Sequence, residues 1–243
     1  MRKFLLGFTS IGLMIGASVN LAQSAPLTGT FAFEVRTGNT GGAGFDALAT
    51  PPSFTGATAS ATFTYTGALN FDINQGQNSN NTGDLNSSFF SSALNAGAPN
   101  FGISGYSGSG AVPLPSGANY STLATFLASS ASASGYQYGT WHVINLGVLA
   151  AGSILNIEHD DGVSVFQNGV RIGSTTAGPT SRITQSVTLT SSDVTFLYYG
   201  RQNGSPSVLK VDFTPVPEPM SIALLGFGLA GLALALGSRR LVA

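Results

Sequence analysis

Apolar and polar residues alternate along most of the central part of the chain. In the segment 207–213, the apolar side chains of Leu209, Val211 and Phe213 fall on one face of an extended chain, opposite two charged residues. A period of two indicates a β-strand with one buried face. The same pattern predicts strands over residues 30–36, 58–66, 68–73, 139–146, 153–158, 163–167, 183–189, 194–199 and 207–213.

Turns and two short helices complete this pattern. Gln167-Asn168-Gly169 separates two predicted strands and has the residues of a hairpin turn. Apolar residues at helical spacing predict a helix within 120–131, and a second short helix is predicted over 84–94. Many short strands with little helix predict an all-β fold, an antiparallel β-sandwich with one or two short helices.

The composition excludes several classes of protein. Only 8% of the 243 residues are charged, and there is no cysteine, which excludes a disulfide framework and a thiolate metal site. Four of the nine basic residues lie at the two ends, so the five basic and ten acidic residues between them give a formal charge of −5. A body without a basic face is not expected to bind nucleic acid.

Residues 1–24 have the pattern of a secretory signal peptide. Arg2 and Lys3 precede an apolar stretch over 4–17, and Ala22-Gln23-Ser24 is a small-x-small cleavage site. We expect cleavage after Ser24; the alternative is an uncleaved membrane anchor. The sequence therefore predicts an exported protein whose folded domain covers residues 25–214.

Residues 215–243 have three parts in a fixed order. The parts are the stalk Val216-Pro217-Glu218-Pro219, the apolar residues 220–238 and the basic pair Arg239-Arg240. The prolines make the stalk stiff and extended, and the apolar part is long enough to cross a bilayer as a transmembrane helix. Because basic residues stay on the cytoplasmic side, the body is expected to lie outside.

This order resembles the PEP-CTERM sorting signal. The resemblance implies that an exosortase, a membrane protease, cuts near the Pro-Glu-Pro motif. It also implies an intermediate anchored in the inner membrane, followed by transfer to the cell surface or to the extracellular matrix of a Gram-negative-type bacterium.

The run Glu158-His159-Asp160-Asp161-Gly162 concentrates charge in a chain that has little. It lies between two predicted strands, where side chains can converge on one point. Two adjacent carboxylates repel each other, and a bound Ca²⁺ reverses the sign of that interaction. The pattern alone indicates either a calcium site or a solvated acidic turn that bends at the glycine.

Residues 159–165 with Asn168-Gly169 resemble the central motif of the protective-antigen-like adhesin domain, which has related versions in fungal flocculins and GLEYA adhesins. Residues 196–204 and 207–209 resemble the closing hairpin of that domain, so the similar stretch covers about 141–213. The resemblance implies a β-sandwich of the protective-antigen-like type.

The same resemblance implies a set of metal ligands. In sugar-binding members of the family, an Asp-Asp pair and an Asn from a later loop hold Ca²⁺, and sugar hydroxyls complete the coordination shell. Carried over to this chain, the ligands are Asp160, Asp161 and Asn203. Arg201 is a departure, and the alternative is that it replaces the metal by pairing with Asp160 or Asp161.

Other residues give weaker indications. Trp141 and Tyr199 are candidates for stacking on a sugar ring, with burial in the core as the alternative interpretation. His142 and His159, the only two histidines, are too few for a multi-histidine zinc site. His159 beside Asp160 also permits a hydrolase interpretation, but no Gly-x-Ser-x-Gly elbow accompanies it. We therefore expect no catalytic residues and no enzyme.

Together these features predict an exported surface or extracellular-matrix protein that an exosortase sorts. Its β-sandwich is expected to be a calcium-dependent carbohydrate-binding or adhesin domain, with an extracellular glycan as partner. The alternative is a purely structural protein of the envelope or biofilm matrix without a ligand. An envelope hydrolase is a more distant alternative.

Overall fold

The computed structural model describes residues 23–39, 49, 58–73, 83–84, 86–92, 97–111, 119–131, 138–178, 180–202, 207–216, 228 and 230. Gln23–Val216 forms one compact unit. Residues 1–22 of the predicted signal peptide and nearly all of the predicted transmembrane helix lie outside the described residues. Within the described residues, no helix is both long enough and apolar enough to cross a membrane.

The described part of the chain consists mainly of antiparallel β-strands. In chain order they are β1 (Ala25–Pro26), β2 (Thr28–Asn39), β3 (Thr58–Ala68), β4 (Asn70–Ile73), β5 (Gly83–Asp84), β6 (Ile103–Gly108), β7 (Ser130–Ala131), β8 (Tyr138–Val148), β9 (Ile154–His159), β10 (Val163–Gln167), β11 (Val170–Ile172), β12 (Ile183–Thr188), β13 (Val194–Gln202) and β14 (Ser207–Thr214). The helices are α1 (Asn86–Ser91) and α2 (Leu123–Leu127), with a short 3-10 segment at Pro99–Gly102. The predicted all-β sandwich with one or two short helices is confirmed.

The strands form two large sheets. The larger sheet has the strand order β11-β10-β13-β8-β2-β3-β6. The smaller sheet has the order β1-β14-β9-β12, and β4 also pairs with β14. A separate two-stranded ribbon joins β5 and β7. The connection from β9 to β10 therefore passes from the smaller sheet to the larger one.

The alternation along β2 explains how the sequence builds this sandwich. Phe31, Phe33 and Val35 are buried, whereas Ala32 is exposed and Glu34 is partly exposed. Because successive side chains of a strand point to opposite faces, one face of β2 joins the core and the other faces solvent. Side chains of both large sheets form one hydrophobic cluster that includes Phe33, Phe63, Phe71, Leu155, Ile157, Leu197, Leu209 and Val211.

Both short helices contribute to this core. Phe89 and Phe90 of α1 and Phe126 of α2 are fully buried. The side-chain amide of Asn86 donates to the Phe126 carbonyl at 3.1 Å and to the Ser129 hydroxyl at 2.6 Å. These bonds connect the start of α1 to the end of α2, and they satisfy donors that would otherwise be buried without partners.

Candidate functional site

The acidic turn lies where β9 ends and β10 begins. Glu158 and His159 are the last residues of β9, and Asp160, Asp161 and Gly162 connect it to β10. Asp160 and Asp161 are each only 7% exposed. Since carboxylates are almost never buried to this extent without compensating interactions, the surroundings of this pair are unusual. The two residues are thus mostly buried, although neither is completely inaccessible to solvent.

Backbone hydrogen bonds from neighbouring segments fix the conformation of the turn. The N–H of Asp160 donates to a carbonyl of β14 at 3.1 Å, and the N–H of Asp161 donates to the carbonyl of Thr180 at 3.3 Å. The N–H of Gly200 donates to the carbonyl of Gly162 at 2.9 Å. Asp161 has a φ of +68°, in the left-handed region that Asp tolerates better than most residues. The surrounding segments therefore hold the backbone of the turn in one conformation.

His159 supports the turn from its buried side. Its Nδ1 lies 2.7 Å from the carbonyl oxygen of Asp161, and its Nε2 lies 2.9 Å from Oε1 of Gln185. The N–H of Thr176 also donates to this Oε1 at 2.7 Å, which defines the atom as an acceptor. Both ring nitrogens thus lie within hydrogen-bond distance of an oxygen atom. Because both nitrogens are engaged, His159 positions the turn rather than serving as a metal ligand.

Two neighbouring acids have opposite pKa shifts. Burial raises the pKa of Asp160 to about 6, although a hydrogen bond from the backbone N–H of Arg182 and the charge of Arg182 both lower it. The pKa of Glu158 is instead lowered, chiefly because its side chain accepts a hydrogen bond from the Arg182 guanidinium. The anionic form is therefore disfavoured at Asp160 and favoured at Glu158.

Glu158 belongs to an ion-pair network and not to the buried pair. The Arg182 guanidinium bonds to Glu158 at 2.5 Å and to Asp72 at 3.0 Å. The Lys210 Nζ lies 2.6 Å from Asp72 and 3.4 Å from Glu158. These side chains connect β4, β9 and β14 across the smaller sheet. Since each is partly exposed, a single pair contributes less than about 1 kcal/mol.

Arg201 is the other cation in this region, and it is only 1% exposed. Its guanidinium carbon lies 4.9 Å from the centroid of the Phe89 ring, a cation–π contact. Burial lowers the pKa of His142 well below its usual value, and the charge of Arg201 lowers it further. The charge of Arg182 also acts on Asp160. The alternative in which Arg201 pairs with Asp160 or Asp161 stays a hypothesis.

The two aromatic candidates lie on opposite faces of the larger sheet. Tyr199 is fully buried in the core, and Trp141 is 2% exposed and packs against Val143 and Tyr198 on the outer face. Burial raises the pKa of Tyr199 well above its usual value, and the Asp161 carboxylate adds to this shift. Neither ring has a face that is open to a sugar, so their positions fit the alternative interpretation of buried aromatic residues.

Several predicted site residues lie outside the described residues. They are Asn203, Pro217, Glu218, Pro219, Arg239 and Arg240. Val216 of the sorting motif is 41% exposed, and its N–H donates to the Ser153 hydroxyl at 3.2 Å. Within the described ranges, no three His, Cys, Asp or Glu side chains converge as a metal-binding group. In this part of the chain, the candidate calcium site consists of Asp160 and Asp161.

Two solved structures resemble this chain over about three quarters of its length. No family model and no curated protein matches the sequence. One similar solved structure is the PA14 domain of the antifreeze protein MpAFP, with 15% identity and a TM-score of 0.41 over 78% of this chain and 82% of that one. Another is a PA14 sugar-binding domain from an RTX adhesin, with 17% identity and a TM-score of 0.42 over 76% of this chain and 88% of that one.

Proposed function

We propose that this chain is an exported surface or extracellular-matrix protein of a Gram-negative-type bacterium, sorted by an exosortase. The order of signal peptide, folded body, Pro-Glu-Pro stalk, apolar segment and arginine pair in the sequence supports this proposal. The last described strand, β14, ends at Thr214, just before the stalk. A cut within the stalk therefore leaves every described strand of the sandwich intact.

Mass spectrometry of the mature protein from the producing cells tests both processing points. We expect the mature chain to begin at Ala25 and to end near Pro217-Glu218-Pro219. Replacing both prolines by alanine should leave the apolar tail attached, because the stiff extended stalk is lost. A membrane-free wild-type form that still carries residues 220–243 would contradict the proposal.

We further propose that the sandwich binds Ca²⁺ at the turn between β9 and β10 and, through that ion, a carbohydrate. One observation carries this proposal: Asp160 and Asp161 are adjacent, both are 7% exposed, and the backbone of their turn is fixed by hydrogen bonds. Carboxylate oxygens suit a hard cation such as Ca²⁺, which takes six to eight oxygen ligands. Two carboxylates supply at most four, so we assign Asn203 and ligand hydroxyls to the remaining positions.

The chain's own residues have distinct tasks in this proposal. Asp160 and Asp161 provide the negative charge, and His159 holds the Asp161 carbonyl so that the pair keeps its orientation. When bound, the ion balances both carboxylates and offers coordination positions to sugar hydroxyls. Glu158 is held in the network with Arg182 and remains outside the site.

A calcium titration of the purified full-length protein, followed by thermal unfolding, tests the calcium proposal. Ca²⁺ should raise the melting temperature because only the folded chain holds the ligands together; at a hundred times the Kd the stabilisation is about 2.7 kcal/mol. Asp161→Ala should abolish this response, because it removes a charged ligand. Asp193→Ala, at a different turn, should retain it. Zn²⁺ should not substitute well, since oxygen ligands suit harder cations.

A flat titration would instead support the structural alternative, an envelope or matrix protein without a ligand. In that alternative, the hydrogen bonds of His159, Gly200 and the Asp161 N–H are the interactions that fix the backbone of the turn. Arg201→Ala distinguishes the two cases. If Arg201 balances Asp160 or Asp161 in place of a metal, this variant should be destabilised or should gain a Ca²⁺ response that the wild-type protein lacks.

A further inference from the structure

We infer that the outer face of the larger sheet carries a second binding site, a groove for a neutral saccharide chain. The groove has a volume of about 390 Å³ and crosses β2, β3, β8 and β13. Its lining includes Glu34, Thr62, Thr64, Val143, Asn145 and Phe196. This face points away from the core, and none of these residues belongs to the acidic turn.

The strand register places these side chains next to one another. Glu34 lies opposite both Thr62 and Val143, and Asn145 lies opposite Phe196. Side chains directly opposite each other on neighbouring strands have Cβ atoms about 4.5–5.5 Å apart. Gly105 of β6 lines the groove without a side chain, and a Cβ built there would meet nothing within 4 Å. The groove is therefore open at the β6 side.

The charge of the groove favours an uncharged ligand. Among the described residues that line it, the one carboxylate is that of Glu34, which accepts a hydrogen bond from Nε of Arg36 at 2.6 Å within an ion pair. The two charges of this ion pair cancel. A charged ligand would lose solvation in the groove and would have to compete with one member of the ion pair for the other.

The remaining lining fits the chemistry of a sugar. The Oδ1 of Asn145 accepts the N–H of Gly147 at 2.8 Å, so its amino group is the donor left for a ligand. The hydroxyls of Thr62 and Thr64 can both donate and accept hydrogen bonds. Phe196 supplies an aromatic ring for the apolar C–H face of a sugar. An apolar wall with a few polar groups is the usual composition of a small-molecule site.

Aromatic residues continue beside the groove, which favours a chain over a single sugar. Tyr198 follows Phe196 two positions along β13 and therefore lies on the same face. Phe166 of β10 lies opposite Phe196 and contacts the Tyr198 ring edge to face, with the centroids 4.9 Å apart. All three side chains are partly exposed. They extend the apolar surface from the groove toward the edge of the sheet.

The groove is separate from the proposed calcium site. Gly200, which bonds to the acidic turn, stands four residues from Phe196 along β13, or about 13 Å in an extended strand. Binding in the groove should therefore need neither Ca²⁺ nor the carboxylates of Asp160 and Asp161. This independence allows the two sites to be tested separately.

Affinity electrophoresis of the purified full-length protein tests the groove, with EDTA present to remove Ca²⁺. The gels contain laminarin, dextran or hydroxyethyl cellulose as neutral polysaccharides, and alginate as an anionic one. We expect at least one neutral polysaccharide to retard the protein. Phe196→Ala and Thr62→Arg should weaken that retardation about tenfold or more, through loss of the stacking ring and obstruction of the groove.

Matched variants exclude indirect effects. Thr62 is exposed, so Thr62→Arg should fold normally, and Thr188→Arg places the same side chain at an exposed position of the smaller sheet. Thr188→Arg should be retarded like the wild-type protein. The inference is overturned if no neutral gel retards the protein, if only alginate does, or if Thr62→Arg and Thr188→Arg behave alike. Retardation that is absent in EDTA and appears with Ca²⁺ would assign the binding to the acidic turn instead.

Discussion

Replacing Phe90 with alanine should lower the free energy of unfolding by about 3–5 kcal/mol, the range for truncating a fully buried aromatic residue. Phe90 of α1 is fully buried. Its ring centroid lies within 6.5 Å of the rings of Phe33, Phe63, Tyr65, Phe71, Phe89, Phe126 and His142. These neighbours come from both sheets and both helices and cannot all move into the vacated space. Urea unfolding of the full-length protein measures the loss.

Two further substitutions make this test specific. Phe90→Leu keeps much of the volume and should be less harmful than Phe90→Ala. Val170→Ala, at a site that is 64% exposed, should change the free energy of unfolding by no more than about 0.5 kcal/mol. A loss below about 1 kcal/mol for Phe90→Ala would mean that α1 is not an essential part of the core.

Local patterns predict several strands of this fold closely. The predicted strand 163–167 coincides with β10, and the predictions 183–189 and 207–213 differ from β12 and β14 by one residue. The hairpin turn is also confirmed, since Asn168 and Gly169 have φ values of +50° and +73° and Gln167 pairs with Val170. Apolar alternation and turn residues determine structure over only a few neighbouring positions, so these features can be recognised in the sequence alone.

Features that depend on distant segments are absent from the sequence prediction. Ile103–Gly108 has no period-two pattern, yet it forms β6 because it pairs with the edge of β3. A Cβ at Gly108 would lie 1.9 Å from the carbonyl oxygen of Tyr120, so this position accepts only glycine without a shift of the backbone. That close approach joins residues twelve positions apart and leaves no mark in the local pattern.

The candidate site likewise has some features that the sequence predicts and others that depend on distant segments. The position of the acidic pair between two strands follows from the sequence, and the structure places Asp160 and Asp161 there. The burial of the pair depends on contacts with β13 and β14, and the bond from His159 to Gln185 spans two strands. The burial of Tyr199 depends on which elements cover that face of the sheet. These burials and this hydrogen bond depend on segments far apart in the chain, so local sequence patterns cannot predict them.

In the absence of metal, Asp160 should make the folded protein less stable as the pH rises from about 4 to about 6. Burial raises the pKa of its carboxyl from the ordinary value of 3.8 to about 6 in the folded chain. Over this range the folded state keeps a proton that the unfolded chain has lost, so the free energy of unfolding falls as the pH rises. At about pH 7 and above the loss is nearly complete and amounts to at most about 3 kcal/mol.

Asp160→Asn should remove this loss, because the amide has nearly the same shape and carries no charge. In EDTA, we expect the variant to exceed the wild-type protein in unfolding free energy by up to about 3 kcal/mol at pH 8 and to match it at pH 4. Urea unfolding at both pH values measures the difference, with Asp193→Asn as the control. An equal difference at the two pH values would contradict the prediction. At a hundred times the Kd, Ca²⁺ should remove most of this difference at pH 8, since the ion binds the intact carboxylate pair and stabilises the wild-type protein by about 2.7 kcal/mol.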